Sequence, residues 1–364
     1  MFSSLVNIVK VIEEHLNPQE FLVGGAVVVV KDGQLIYERG FGNAELGSTK
    51  KAFTPDTMVC VMSIAKSFTA ASLLTLVEEG LLDLNVPLVN YLPYFQTTDR
   101  RESDLITVKQ LLSHTAGFGG DLGIGDLVAP NAADFAFYDQ WIQMAGMPES
   151  LISKVRSRED ITRLIREIAL ADSPGHSWNY CTDLFIVAAD LFEKVSGQSW
   201  DDYMIKMFNR LNLNRTTINA EDVQKDENHA KYYSSMTEEN AILLSPFPVN
   251  RIAAPMGFLY STAKDLGKYL NHYMSDHPFL SSVLIEKMFE PVWEFDPYEG
   301  YALGWGTSIE MGYNVIEHGG SSQGVNAYLC MVPSEKLGVI VLSNHDRTPA
   351  KHICYGILRA LLAK

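Results

Sequence analysis

Cysteine is scarce in this chain. Cys60, Cys181, Cys330 and Cys354 are the only four in 364 residues. No two form a C-x-x-C, and none stands with a histidine at zinc-ligand spacing, so the common zinc and dithiol motifs are excluded. A chain of this length buries enough core to fold without disulfides, and the four are read as reduced thiols. The nine histidines include no H-E-x-x-H, and neither a metal nor another cofactor is expected. Positive charge is short as well: 29 Lys and Arg stand against 44 Asp and Glu, a formal net charge of -15. No basic run is longer than Lys50-Lys51 or Arg100-Arg101. That excludes the basic stripe a nucleic-acid partner requires, and disfavours an anionic membrane surface. Long apolar runs are missing; none approaches the roughly 18 residues of a membrane span. The opening stretch MFSSLVNIVKVIEEHL lacks the basic region of a signal peptide, and Glu13 and Glu14 follow early, so a cytoplasmic location is expected. Leu5, Ile8, Val9, Ile12 and Leu16 fall instead on one face of a helix. Internal repeats and low-complexity segments are also lacking.

What is present is a 47% hydrophobic composition, enough for two domains or for one large domain with an insertion. Residues 24–42 read as a hairpin: a β-branched run over 26–30, turn chemistry at Asp32-Gly33, and a return over 35–38. Three more strands are expected over 313–317, 326–332 and 337–342, the last two joined by Pro333-Ser334-Glu335-Lys336. Such tight connections imply antiparallel pairing. A helix closes the chain over 350–362. Between these ends the pattern is helical. Residues 157–171 open on Ser157 and Asp160 as a capping pair and put Ile161, Leu164, Ile165 and Ile168 on one face. Residues 183–195 form a second helix stopped by Gly197, and 200–211 a third. The expected class is α/β (α+β): an antiparallel sheet flanked by helices, built from residues 1–85 and 250–364, with a mostly helical insertion over 86–249. Residues 118–150 and 220–254 resist assignment and read as pocket walls or as surface decoration.

The spacing S-x-x-K occurs three times, and context separates the three. Ser48 and Lys51 lie in a polar loop. Ser261 and Lys264 open a helix in which Ser261 or Thr262 is the N-cap and Asp265 completes a box. Ser63 and Lys66 stand in MVCVMSIAKSFTAASLL, before a helix with no clean polar face over residues 64–77; such a helix is buried on most sides. Lys66 in its first turn needs a partner or loses its proton. A neutral lysine beside a hydroxyl is a base for that hydroxyl, and a helix N-terminus favours negative charge. The alternative is an N-cap serine with a snorkelling lysine.

Two further stretches bear on the choice: SPGHSWNYCTDLF at 173–185 and IEHGGSSQGVNAYLCMVPSEKLGVIVLSN at 316–344. With Ser63-x-x-Lys66 they give an ordered series, S-x-x-K, then Y-x-x, then H-G-G leading into a strand. This series resembles the serine hydrolases of the class C β-lactamase family, which includes penicillin-binding DD-peptidases, D-aminopeptidases and β-lactamase-like esterases. LLSHTAGF at 111–118, GFLYSTAKDLGKYL at 257–270 and YALGWG at 301–306 add to the likeness, which runs from about residue 20 to 345. The resemblance implies an acyl-enzyme mechanism. Ser63 is the nucleophile, and Tyr180 works with Lys66, its phenol depressed by the ammonium. The backbone N–H groups of Ser63 and Ser321 form the oxyanion hole, with Gly319 and Gly320 letting the strand lie close to substrate. Without the resemblance, Tyr180 reads first as a core aromatic at a helix start and His318 first as an ordinary strand-end histidine. Cys60 and Cys181 read as buried fillers.

The chain departs from the family at two motifs. Tyr-x-Asn becomes Tyr180-Cys181-Thr182, and Lys-Thr-Gly becomes His318-Gly319-Gly320. Thr182 offers one short hydroxyl where Asn both donates and accepts. A neutral His318 suits a substrate carboxylate less than a permanent cation. Both changes point from β-lactams towards esters, or small amides and peptides. Acyl transfer, β-lactamase or DD-peptidase chemistry and a non-catalytic binding module are the alternatives.

Overall fold

The strand Gly24–Lys31 (β1) is buried along nearly its whole length, and its side chains alternate between two separate layers. Val27 and Val29 enter a cluster with Ile353, Ile357 and Leu358. Ala26, Val28 and Val30 enter the larger core with Phe68, Leu266 and Leu270. One sheet is therefore sandwiched between helices. This is seen in a computed structural model, which describes residues 8–11, 13–14, 23–48, 50–236, 241–276 and 278–363.

The remaining strands of the sheet are β2 (Gln34–Glu45), β3 (Lys51–Ala52), β4 (Trp293–Glu294), β5 (Glu299–Tyr301), β6 (Gly306–Glu310), β7 (Tyr313–Ser322), β8 (Val325–Val332) and β9 (Leu337–Ser343). Their order is β3-β2-β1-β9-β8-β7-β6-β5-β4, antiparallel throughout. Both chain ends build it, because β1 pairs with β9 across the middle, Val28 opposite Ile340. The expected strands are all present but several are longer. β2 outruns its expected span because it is mostly exposed and carries little apolar alternation. β4 to β6 escaped the sequence reading for a similar reason: they are short and form the far edge.

The helices that bear on the site are α1 (Ala65–Glu78), α2 (Val108–Leu112), α3 (Leu184–Ser196), α4 (Ala263–Met274) and α5 (Ala350–Leu362). α5 covers one face of the sheet, while α1 and α4 lie in the core on the other. Gly197 ends α3 in the left-handed region, φ 68°, as its position suggests. The capping pair Ser157 and Asp160 forms in both directions. That helix runs only over Arg158–Leu164, however, and Ile168 is extended. The chain turns there because the carbonyl of Ile168 accepts the Thr98 N–H at 2.9 Å. Of the expected N-terminal helix, residues 8–11 are helical and Ile8 is buried beneath α5; Leu5, Ile12 and Leu16 lie outside the described residues. Among the described residues no helix is long and apolar enough to cross a membrane.

The other two S-x-x-K pairs are structural. Thr262 caps α4 through the Asp265 N–H, but Asp265 does not complete a box. Its carboxylate accepts from Arg215 N at 2.7 Å and from the Thr216 hydroxyl at 3.1 Å instead. Lys264 pairs with Asp56 and Glu38, and Lys51 with Glu45.

Candidate active site

Ser63 sits in a single 3-10 turn, Met62–Ile64, that runs straight into α1. The turn is held by Val61, whose N–H donates to Leu259 O at 2.8 Å. Met62 before it is left-handed, φ 47°, a conformation a methionine rarely adopts. Ser63 is partly exposed while Lys66 is completely buried. Lys66 Nζ donates to Met256 O at 2.6 Å and to Ser63 Oγ at 3.0 Å. The loop that supplies the first acceptor is itself anchored. Asn250 bridges Gly125 O and Ala253 N. Arg158, paired with Glu193 and Asp201, donates to Ile252 O and Arg251 O. Thr69, one turn further along α1, donates to Pro255 O at 2.8 Å. Desolvation pulls the Lys66 ammonium down to about 8, with the carboxylates of Asp121, Asp126 and Asp183 opposing it. A lysine so placed is part neutral near pH 8 and holds its nitrogen against the serine oxygen.

Tyr180 completes the cluster. Its ring lies 5.0 Å from Lys66 Nζ, and its phenol shares a hydrogen bond with the Ser63 side chain. The expected depression of this phenol does not occur: burial pushes its pKa up. Tyr180 is therefore a neutral phenol that can donate or relay a proton, and Lys66 is the only member of the trio shifted towards base behaviour at neutral pH. His114, Trp178 and Tyr301 surround the Tyr180 ring, with centroids at 4.2, 6.1 and 6.3 Å.

The segment His318-Gly319-Gly320-Ser321 lies on β7. Gly320 packs against the turn that carries the serine. A Cβ there would fall 2.1 Å from Val61 O and 3.1 Å from Ser63 N. Gly319 faces elsewhere, its Cβ position 3.1 Å from the Tyr328 ring. The two glycines admit neighbouring protein, backbone at Gly320 and an aromatic ring at Gly319. Ser321 is exposed. His318 is buried; its Nδ1–H donates to Gly319 O at 2.7 Å and its Nε2 accepts the Tyr301 hydroxyl at 3.1 Å. Burial and the Lys66 charge hold it down to about 3, so it is neutral.

Thr182, expected to meet substrate, lies beside Asp121. Its N–H donates to Asp121 at 2.5 Å, and its hydroxyl is sealed from solvent without a partner. Asp183 follows with both oxygens occupied by the N–H groups of Leu122 and Gly125. Burial pushes Asp183 up to about 6 and Asp126 to about 8. Asp121, Cys181 and Asp183 bring ligand atoms within 4.8 Å of one another, the grouping among the described residues that can hold a metal ion. Its oxygens already hold loop backbone, and burial drives the Cys181 thiol far up. All four cysteines are free and buried, Cys60 pushed up to about 12, which makes them fillers, not nucleophiles.

A cavity of about 620 Å3 lies elsewhere, lined by Phe289, Glu290, Asp296 and Tyr298 among others, and no predicted site residue lines it. Met256 O, His114 and Tyr301 were not assigned a role from sequence. His114 and Tyr301 lie in the stretches LLSHTAGF and YALGWG that had a signal; a backbone carbonyl leaves none.

A helix-flanked antiparallel sheet presenting Ser-x-x-Lys, a tyrosine and a glycine-bearing strand to one another matches the fold of the β-lactamases and penicillin-binding proteins. The chain belongs to the Beta-lactamase family, whose model matches residues 10–363. It is similar to protein flp of Staphylococcus aureus (strain MW2), 23% identical over 348 residues, covering 92% of this chain but 62% of that one. It is 26% identical to unguisins hydrolase ungD' of Aspergillus campestris over 350 residues, covering 88% and 58%. The chain thus spans about three fifths of the curated relatives it matches. The solved octameric penicillin-binding protein homologue from Pyrococcus abyssi aligns with TM-score 0.80 and 27% identity, over 99% of this chain and 77% of that one.

Proposed function

We propose that this protein is a serine hydrolase that forms an acyl enzyme on Ser63 and takes uncharged esters, or small amides and peptides. The observation that carries the reading is Lys66, buried, pulled down to about 8 and 3.0 Å from Ser63 Oγ. Neutral Lys66 accepts the Ser63 proton as Oγ adds to the substrate carbonyl. The oxyanion is held by the N–H groups of Ser63 and Ser321, near which Gly320 brings β7. Tyr180 passes a proton to the departing oxygen or nitrogen as the carbonyl reforms, and the phenol regains a proton from the Lys66 ammonium, which is left neutral again. Water then adds to the acyl-serine, Lys66 takes its proton, and the acid leaves with Ser63 restored.

Two facts support an uncharged substrate. His318, in place of a lysine, is neutral and has both nitrogens engaged within the protein. The acidic residues acting on Lys66 are Asp121, Asp126 and Asp183, and in their ionised form they repel an anion. We read residues 86–249 as the inserted part that walls the cleft. In support, Ala136 N donates to the Gln323 side chain and Ser245 Oγ to Gln323 O, both beside the exposed end of β7.

A fluorophosphonate or p-nitrophenyl ester should leave a mass increment on the Ser63 peptide, and Ser63→Ala should abolish both labelling and turnover with the fold retained. Labelling of the alanine variant at the wild-type rate would remove the assignment. His318→Lys should raise turnover of carboxylate-bearing esters relative to neutral ones; an unchanged ratio would place His318 outside substrate recognition.

A further inference from the structure

His114 is one of the few non-glycine residues held at positive φ, 61°, and it is 1% exposed. Short helix α2 leads to it, opened by a capping box between Thr107 and Gln110. From this conformation it makes two bonds that straddle Tyr180. Its carbonyl accepts the Asn179 N–H at 3.1 Å. Its Nδ1 accepts the Cys181 N–H, also at 3.1 Å. The residues before and after the phenol are thus tied to one histidine. The imidazole plane itself lies 4.2 Å from the Tyr180 ring, tilted by 37°.

The bond to Cys181 settles the tautomer. Nδ1 is an acceptor, so the proton is on Nε2, and that atom is buried without a partner. A residue kept only to fill space would not need a left-handed backbone and an orphaned donor together. The neighbouring turns repeat the clamp without the ring: Gly175 N donates to Thr115 O, and Ala171 N to Gly117 O. The segment 114–117 therefore acts as a rail along which 171–181 is laid, with the imidazole at the phenol.

We propose that His114 is a positioning residue for Tyr180: it fixes the phenol over Ser63 and Lys66 by holding the peptide groups on both sides of it. The proposal rests on the acyl-Ser63 reading. It accounts for why a histidine, able to accept from an N–H while standing at positive φ, occupies the site. Asparagine shares both properties, since it tolerates this φ and its carbonyl oxygen takes nearly the place of Nδ1.

Steady-state kinetics on a p-nitrophenyl ester test it. His114→Gly keeps the backbone free to adopt φ 61° but deletes the acceptor. It should lower kcat by about 100-fold with KM unchanged, the scale of a small misplacement. His114→Asn should keep most of the wild-type kcat. In a Tyr180→Phe background, His114→Gly should cost little more, because both changes remove the same group from the reaction. Near-normal kcat in His114→Gly, losses in His114→Asn equal to those of the glycine variant, or fully additive losses in the double variant would each overturn the proposal. Should the glycine variant lose its cooperative thermal transition, the asparagine variant decides. Wild-type kcat in it supports the bracket, and a folded asparagine variant as slow as Tyr180→Phe overturns it. Ser63→Ala is run beside them. If it is inactive, the outcomes above bear on His114 alone; if it is fully active, the acyl-serine reading falls and takes this inference with it.

Discussion

Lys66→Met should cut turnover by about 100-fold or more and abolish the acid limb of the pH–rate profile. In the wild type that limb is expected near pH 8, where buried Lys66 gives up its proton. kcat/KM should climb through this pH and level off above it. His318, held down to about 3, and His114, held well below 6.5 by burial, contribute no limb near neutrality. A wild-type profile governed by a group near 6.5, or a methionine variant that keeps its limb, would assign the base elsewhere.

The same shift has a stability signature with a definite sign. Folded Lys66 releases its proton near 8 and unfolded lysine near 10.5. Below pH 8 both states are protonated, and the folded one bears the cost of a buried ammonium. Between pH 8 and 10.5 the unfolded chain binds more protons, so the folded state gains with rising pH. Relative to Lys66→Met, wild-type stability should therefore improve by on the order of 3 kcal/mol across that window. Denaturant melts of both proteins at pH 7.5 and pH 10 measure it; parallel curves would mean that Lys66 is not desolvated.

Gly320→Val should be nearly as damaging, for a steric reason. Even a Cβ at this position would meet Val61 O at 2.1 Å and Ser63 N at 3.1 Å, and both contacts are rigid backbone. Either β7 or the Met62–Ile64 turn must move, and the distance between the two proposed oxyanion donors moves with it. Loss of one such donor costs on the order of 100-fold or more in kcat. Gly319→Ala presses on the Tyr328 ring instead, so it should lower the melting temperature more than kcat. Equal kinetic losses in the two variants would contradict the assignment of Gly320 to the serine turn.

How far the sequence reached differs between elements. β1 and β9 were legible because both faces are buried and the runs are β-branched. The caps at Ser157 and Thr262 and the stop at Gly197 were legible because their chemistry is local. β4 to β6 were not, since an edge strand of two to five residues has little pattern to show. The box expected at Asp265 failed because a distant segment, Arg215-Thr216, competes for its carboxylate.

At the candidate site the residue types were visible in the chain, in S-x-x-K, Y-x-x and H-G-G. Their ionisation was not. Whether Tyr180 is depressed by an ammonium or raised by burial depends on how much water the fold removes, and nearest neighbours in sequence do not report that. The order of residues supplies the groups: a hydroxyl and an amine one helical turn apart at the head of an apolar helix, and a strand with two glycines. What those groups can do is set by folding. It set Met256 O against the amine, Tyr301 against His318 and Val61 against Gly320, because desolvation and close contact are made by residues brought together only by folding.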